Sequence, residues 1–232
     1  MILKIIYFKT IFSATSTFFV CVNNETIINT IKLIGTEKIA GLLMVISGIQ
    51  FMLMVTVAEA LYPGYNTGQY TLSSLADLPI QEPSATIFNA TTFIAGLLVF
   101  ISAYLVYKHF GKKIFPVLLA ILGIGAMGVG IFPGYTGNTH VIFALTSFTF
   151  GSLAILASFT ILKESWLKYV LPVLGAVAFL DIFLVIFLQE ANPFMVLGEG
   201  GAERLIVYPI ILSIIALGGY LSGAVPLEES KR

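Results

Sequence analysis

GKKIFPVLLAILGIGAMGVGIFPGY, residues 111–135, is an uninterrupted apolar run bounded by Lys112 and Lys113 on one side and by Pro133-Gly134 on the other. A helix crossing a bilayer needs about 20 apolar residues at about 1.5 Å of rise each. This run has that length. Its apolar residues do not alternate with polar ones, as the strands of a membrane barrel would. The segment therefore reads as a membrane-spanning helix. Five further runs share its character, near Ile39–Tyr62, Thr86–Tyr107, Val141–Leu162, Tyr169–Leu188 and Leu205–Val225, with the quoted run as the third, Ile114–Phe132. The composition agrees. The 232 residues are 58% hydrophobic and 10% charged, against about 25% charged in an ordinary soluble domain. A bilayer accepts that much apolar surface, provided the backbone is satisfied within helices. The expected fold is all-α: an integral membrane bundle of six transmembrane helices, with a duplicated helical hairpin considered below.

The basic residues set an expected orientation. With six spans, Lys32 and Lys38, then Lys108, Lys112 and Lys113, then Lys163 and Lys168, and finally Lys231 and Arg232 all fall on one side, leaving Arg204 on the other. Cytoplasmic loops carry the excess of lysine and arginine. Both termini are thus expected in the cytoplasm of a multi-pass protein of the cell membrane. Three regions follow: an N-terminal extension over 1–36, a transmembrane domain over 37–226 and a cytoplasmic tail over 227–232. In the extension, Lys4 and Lys9 precede the short apolar stretch Thr10–Val22. It reads as an interfacial helix, with a signal-like segment, a seventh span and a start codon assigned too early as the rivals. Equal numbers of acidic and basic residues give no reason to expect nucleic acid as a partner. A lone cysteine, Cys21, excludes an intrachain disulfide.

Small residues mark expected packing faces. The third span carries Gly123, Gly125, Gly128 and Gly130, and the sixth carries Gly219 and Gly223. Small residues four apart let helix backbones approach, within one chain or between two copies in a homo-oligomer. Pro116, Pro172 and Pro209 are each expected in the first turn of a span, where a missing N–H is tolerated.

Tyr62-Pro63-Gly64-Tyr65-Asn66-Thr67-Gly68 closes the first span and Phe132-Pro133-Gly134-Tyr135-Thr136-Gly137-Asn138 closes the third, 70 residues later. The repetition suggests that spans one–two and three–four are copies of one hairpin. Helix termination by Pro-Gly, with tyrosine at headgroup level, accounts for the motif without any chemistry.

Ionisable residues in a bilayer are costly and mark candidate sites. Glu59 falls near the outer end of span one. Asp181 lies about 18 Å along span five, past the midplane, and should face the interior. His140 begins span four, and Glu203 and Arg204 begin span six after the glycine-rich Leu197-Gly198-Glu199-Gly200-Gly201 loop. His140, Asp181 and Glu59 are the candidate catalytic residues. Arg204, Glu203, Tyr65, Tyr135 and Ser73 are the candidate ligands of a lipid or lipid-linked headgroup. For Arg204 the structural alternative is an ion pair with Asp181 or Glu59. The outer acids, Glu59, Asp77, Glu82, Glu190, Glu199 and Glu203, favour cationic groups. No metal is expected. The two histidines, His109 and His140, are 31 residues apart and on opposite sides, unlike the His-Glu-x-x-His of a zinc protease. Ser73 or Ser74 with His140 and an acid has the composition of a hydrolase triad, but no Gly-x-Ser-x-Gly surrounds either serine. Both serines also suit the start of a short helix through Leu75–Leu78. No glycine loop of the nucleotide-binding type occurs, and no cofactor is expected.

Several of these segments together resemble a known family. Tyr62-Pro63-Gly64-Tyr65, Leu72-Ser73-Ser74-Leu75-Ala76, Phe88-Asn89, Gly130-Ile131-Phe132-Pro133 with His140, and Gly201-Ala202-Glu203-Arg204-Leu205 with Tyr208-Pro209 are similar to the multi-pass prokaryotic membrane proteins catalogued as domain of unknown function 998. The resemblance runs from about Lys38 to Leu221. It implies a six-helix bundle, no established activity, and a shared domain that excludes the first 36 residues. Where this family has Ile-Ser-x-Leu-Gly, Ala76 replaces the last glycine, which puts a positive-φ turn there in doubt.

Three functions follow as expectations. The first is binding or handling of a lipid or lipid-linked headgroup at the outer leaflet. The others are an intramembrane lipid hydrolase or transferase using His140 as base, and a proton- or cation-coupled transporter titrating Asp181. Membrane lipids are the expected partners.

Overall fold

The computed structural model describes residues 35–76, 83–163 and 165–223. The expected N-terminal helix, the cytoplasmic tail, Cys21, Asp77 and Glu82 lie outside them. Six long helices form: α1 Thr36–Leu61, α2 Ser84–Phe110, α3 Ile114–Ile131, α4 Asn138–Ala157, α5 Leu167–Leu188 and α6 Gly198–Gly223. All six are long and apolar enough to cross a membrane, and no strand occurs among the described residues. The sequence predicts this because each run lacks a helix breaker in its middle turns or meets one only where neighbouring helices can absorb it. The stops are equally local. Gly111 ends α2 in the left-handed conformation at φ 64°, with its N–H on the Tyr107 carbonyl.

Side-chain partners fix the arrangement. On α1 and α2, Ser47 donates to the Ala95 carbonyl, Gln50 to the Thr91 carbonyl, and Ser102 to the Ala40 carbonyl. Numbers rise on one helix as they fall on the other, so the pair is antiparallel. The same holds for α2 against α3, where Gly96 meets Gly123 and Gly130 meets Asn89. It holds for α3 against α4, where Gly125 meets Ser147 and Gly128 meets Phe143, and for α1 against α6, where Gly41 meets Gly218 and Gly48 meets Ile215. The last contact brings the first helix against the last. All lysines of the described residues therefore share one end of the bundle with His109, whose Nδ1 lies 2.9 Å from Glu37. Glu59, Glu199, Glu203 and Arg204 share the other.

The close approaches explain the glycines. A Cβ on Gly96 would stand 2.6 Å from the Gly123 carbonyl oxygen, and one on Gly123 would stand 2.8 Å from that of Gly96. Lipid offers no hydrophobic drive for helix association, so this backbone proximity supplies van der Waals contact instead. On α6 the packing glycine is Gly218. Gly219 and Gly223 face open space, which corrects the expectation that they form the packing face within the bundle.

The sixth span begins earlier than its apolar run. Gly198–Gly201 is the first turn of α6, not a loop. Pro209 therefore lies twelve residues into α6, and Pro172 in the second turn of α5; only Pro116 keeps its expected first-turn place. The helix extends backward because its bare backbone docks on the loop after α1. The Gly200 N–H donates to the Gly68 carbonyl at 3.0 Å, and side chains at Gly198 and Gly200 would collide with the Gly68, Thr67 and Tyr70 backbone.

The two loop motifs stop their helices at the same end and then diverge. After Phe132, α4 resumes at Asn138. After Tyr62 the chain continues through a 3-10 turn at Ser73–Ala76 before α2 begins at Ser84. That short helix is where Ser73 and Ser74 were expected to start one. Its hydrogen-bonding cap is Thr71, whose Oγ1 accepts from the Ser74 N–H at 3.2 Å. Ala76 is fully buried there without a positive φ, so the missing glycine is not required.

Candidate functional site

Arg204 organises the lysine-free end. It lies in the second turn of α6 and is 8% exposed. Its Nη2 donates to Glu59 Oε1 and to the Tyr65 hydroxyl, each at 2.6 Å. Its Nη1 donates to the carbonyls of Thr67 at 2.9 Å, Tyr70 at 3.1 Å and Gly200 at 2.9 Å. A planar guanidinium can serve five acceptors at once; an ammonium cannot. The ion pair with Glu59 is the structural alternative weighed from the sequence. Tyr65 passes the chain on, donating to the Thr71 carbonyl at 2.9 Å. Burial pushes its hydroxyl up to about 12, outweighing the adjacent Arg204, which acts the other way. Tyr62, Tyr65 and Tyr70 cluster with ring centres 5.2 to 5.8 Å apart, Tyr65 and Tyr70 stacked and Tyr62 tilted against both. The first loop motif is thus folded onto the guanidinium.

Glu203, the neighbour of Arg204, does something else. Its Oε2 accepts the Leu72 N–H, and the Ser73 N–H also donates to the carboxylate, so it holds the start of the 3-10 turn. No lysine or arginine forms an ion pair with it among the described residues. Ser73 itself shares a hydrogen bond with the Thr71 hydroxyl at 2.9 Å.

His140 stands in the first turn of α4, 6% exposed. Its Nδ1 lies 2.8 Å from the Phe132 carbonyl oxygen. A carbonyl only accepts, so Nδ1 carries a proton, and Nε2 has no hydrogen-bond partner among the described residues. Phe132 in turn stacks on Phe143 at 5.3 Å. The second loop motif is held by this histidine as the first is held by Arg204. Tyr135, in the same motif, is 61% exposed at the end of the bundle, where a ring can sit among headgroups.

Asp181 is fully buried on α5. Asn192 Nδ2 donates to its Oδ1 at 3.0 Å, and Oδ2 has no partner among the described residues. Asn192 also accepts the Phe194 N–H, so the pair anchors the Gln189–Leu197 segment to α5. The structure does not bring Glu59 or Asp181 to His140: the former is committed to Arg204 and the latter to Asn192.

Two cavities open beside these residues. An interior one of about 80 Å³ runs between α1, α2, α3, α4 and α6, with Ser73, His140 and Glu203 at its polar end and Phe51, Val99, Leu122 and Ile214 along its apolar walls. A lateral one of about 410 Å³ lies between α4, α5 and α6, lined by Leu145, Ile182, Val185, Ile186 and Ile206, with Thr71, Gln189, Glu199 and Glu203 at its end. Leu145, Val185 and Ile186 are exposed, so this groove opens on the apolar surface. Phe148 and Glu203 border both cavities. No group of three or more metal-ligating side chains forms among the described residues.

Thr71, Phe148, Gln189 and Asn192 are the site residues that sequence reasoning missed. Asn192 carried a signal, since Asn-Pro marks a turn start. Thr71, Phe148 and Gln189 carried none, because an uncharged residue in or beside a span looks like every other one.

Six antiparallel apolar helices, with one end tied down around a buried arginine, define a multi-pass membrane protein. The chain belongs to the family described as Protein of unknown function (DUF998), whose family model matches residues 45–220. No curated protein and no solved structure matches the chain.

Proposed function

We propose that this protein binds a lipid or lipid-linked molecule at the outer leaflet, with the apolar chain in the groove between α4, α5 and α6 and the headgroup at Glu203, Thr71 and Gln189. One observation carries this reading: an apolar groove open on the bilayer-facing surface ends at polar side chains, at the end of the bundle that lacks lysines. The lysines at the opposite end support an orientation with this end outside and the termini in the cytoplasm. Arg204, whose two Nη groups are taken up by Glu59, Tyr65 and three carbonyls, lines neither cavity and shapes the site without contacting the headgroup.

The catalytic and transport readings have less support. His140 has a carbonyl, not a carboxylate, as its Nδ1 partner. Asp181 lines neither cavity beside the site. Toward the lysine end Met44, Val106, Phe115, Leu119 and Leu217 are buried together with Ser102 and Ser158, and no charged side chain is buried there among the described residues.

Native mass spectrometry of protein purified in a mild detergent tests the proposal. Retained lipid on the wild type, lost in Leu145→Trp, is the expected result; Leu145 is exposed, so the larger ring fills the groove without disturbing the core. No retained lipid, or equal retention in both, contradicts it.

A further inference from the structure

The two cavities pose a donor–acceptor problem that the protein does not solve by itself. In the interior cavity Ser47 donates to Ala95, Thr92 to Phe88, and Ser73 pairs with Thr71. That leaves His140 Nε2 without a protein partner, and leaves Glu203 with the Leu72 and Ser73 N–H groups but with no ion-pair partner among the described residues. The Ser147 hydroxyl, also without a partner, lies seven residues further along α4, about 10 Å deeper. No lysine or arginine lines either cavity. Neutral N–H donors leave the charge of a carboxylate beside apolar space uncompensated, and a charged donor satisfies it best. Phe148 and Glu203 form the wall between the interior cavity and the lateral groove, so a head bound at this wall can keep its chain in the groove.

We infer that the ligand is an amphiphile whose head is a primary ammonium group, paired with Glu203 and hydrogen-bonded to His140 Nε2, with its chain leaving past Phe148 between α4, α5 and α6. The inference rests on the lipid-binding reading above and adds the charge of the head. Glu199 at the end of the groove reinforces the selection by disfavouring an anionic head. A long-chain carboxylate would oppose Glu203. A long-chain alcohol would supply a single donor and no charge.

Three photoreactive probes test it, each an octadecyl chain bearing a diazirine and ending in an amine, a hydroxyl or a carboxylate. They are presented to the protein in phosphatidylcholine nanodiscs, and labelled residues are mapped by mass spectrometry. The amine is expected to label the Leu145, Ile182 and Ile206 walls about tenfold more than either other probe, the ratio that about 1.4 kcal/mol gives. Glu203→Gln should erase the preference, since the amide keeps an acceptor for Leu72 but loses the charge. Because Glu203 also supports the 3-10 turn, competition on the wild type provides the variant-free measurement: unlabelled octadecylamine should displace the probe, and stearate should not. Equal labelling by amine and alcohol, preference for the acid, or displacement by stearate overturns the ammonium assignment while leaving a lipid groove in place. Absence of groove labelling by all three probes overturns both readings.

Discussion

Arg204 and Glu59, 145 residues apart in the chain, meet at 2.6 Å and join the last helix to the end of the first. The pair is mostly buried, so its rupture leaves an uncompensated charge. Arg204→Ala is expected to lower stability by about 3 kcal/mol, and Arg204→Lys to recover only part, because one ammonium cannot span five acceptors. Thermal unfolding in detergent measures this. The Arg204→Ala/Glu59→Ala double variant should lose less than the sum of the single losses, as residues in one network do. Additive losses would mean that the two do not act as a pair.

Tyr65 gives the same network a pH signature. Its hydroxyl is pushed from an ordinary 10.0 up to about 12 by burial. The folded protein holds this proton more tightly than the unfolded chain. The stability it contributes is therefore complete below pH 10 and is lost as pH rises toward 12. An absorbance titration should show one late tyrosine, absent in Tyr65→Phe. If the phenylalanine variant titrates like the wild type, Tyr65 is not that group.

Much of the fold was legible because a bilayer imposes so few solutions. Apolar length located all six helices, since nothing else explains such runs. The beginning of α6 was not legible, because Gly198 and Gly200 resemble a loop until one sees the Gly68 and Tyr70 carbonyls they dock against. The Arg204–Glu59 pair could be listed among rivals but not chosen, since sequence spacing says nothing of which two helices meet at α6. Gly218 and Gly219 are indistinguishable in sequence, and only the rotation of α6 decides that the first touches α1.

Asp181 separates anchoring from titration. Replacement by asparagine keeps an acceptor for Asn192 and removes a buried carboxyl group that has one hydrogen bond. Stability is expected to be unchanged or higher in Asp181→Asn, and lower by about 1–3 kcal/mol in Asp181→Leu, where the Asn192 amide is left unpaired. Thermal unfolding of both variants decides it. A large loss in Asp181→Asn would mean that the charge itself is needed.

The glycines make a paired test of helix packing. Gly123→Ala puts a methyl 2.8 Å from the Gly96 carbonyl and forces α2 from α3, whereas Gly219→Ala meets nothing within 4 Å. The first should cost about 1–3 kcal/mol and the second almost nothing. Equal effects in thermal unfolding would argue against this packing.

Orientation can be read in intact cells. In a Cys21→Ser background, cysteine at Lys112 should stay unlabelled by an impermeant maleimide, and cysteine at Tyr135 should react. Tyr135 is exposed at the opposite end, so both positions are suitable probes. The reverse pattern would invert the bundle and move the groove's polar end to the cytoplasm.

The most direct measurement is a density map of the protein in lipid nanodiscs. The lipid-binding reading calls for elongated density between α4, α5 and α6 that ends beside Glu203 and disappears in Leu145→Trp. A groove closed by its own side chains, or lipid ordered on other faces while this one stays empty, would contradict it.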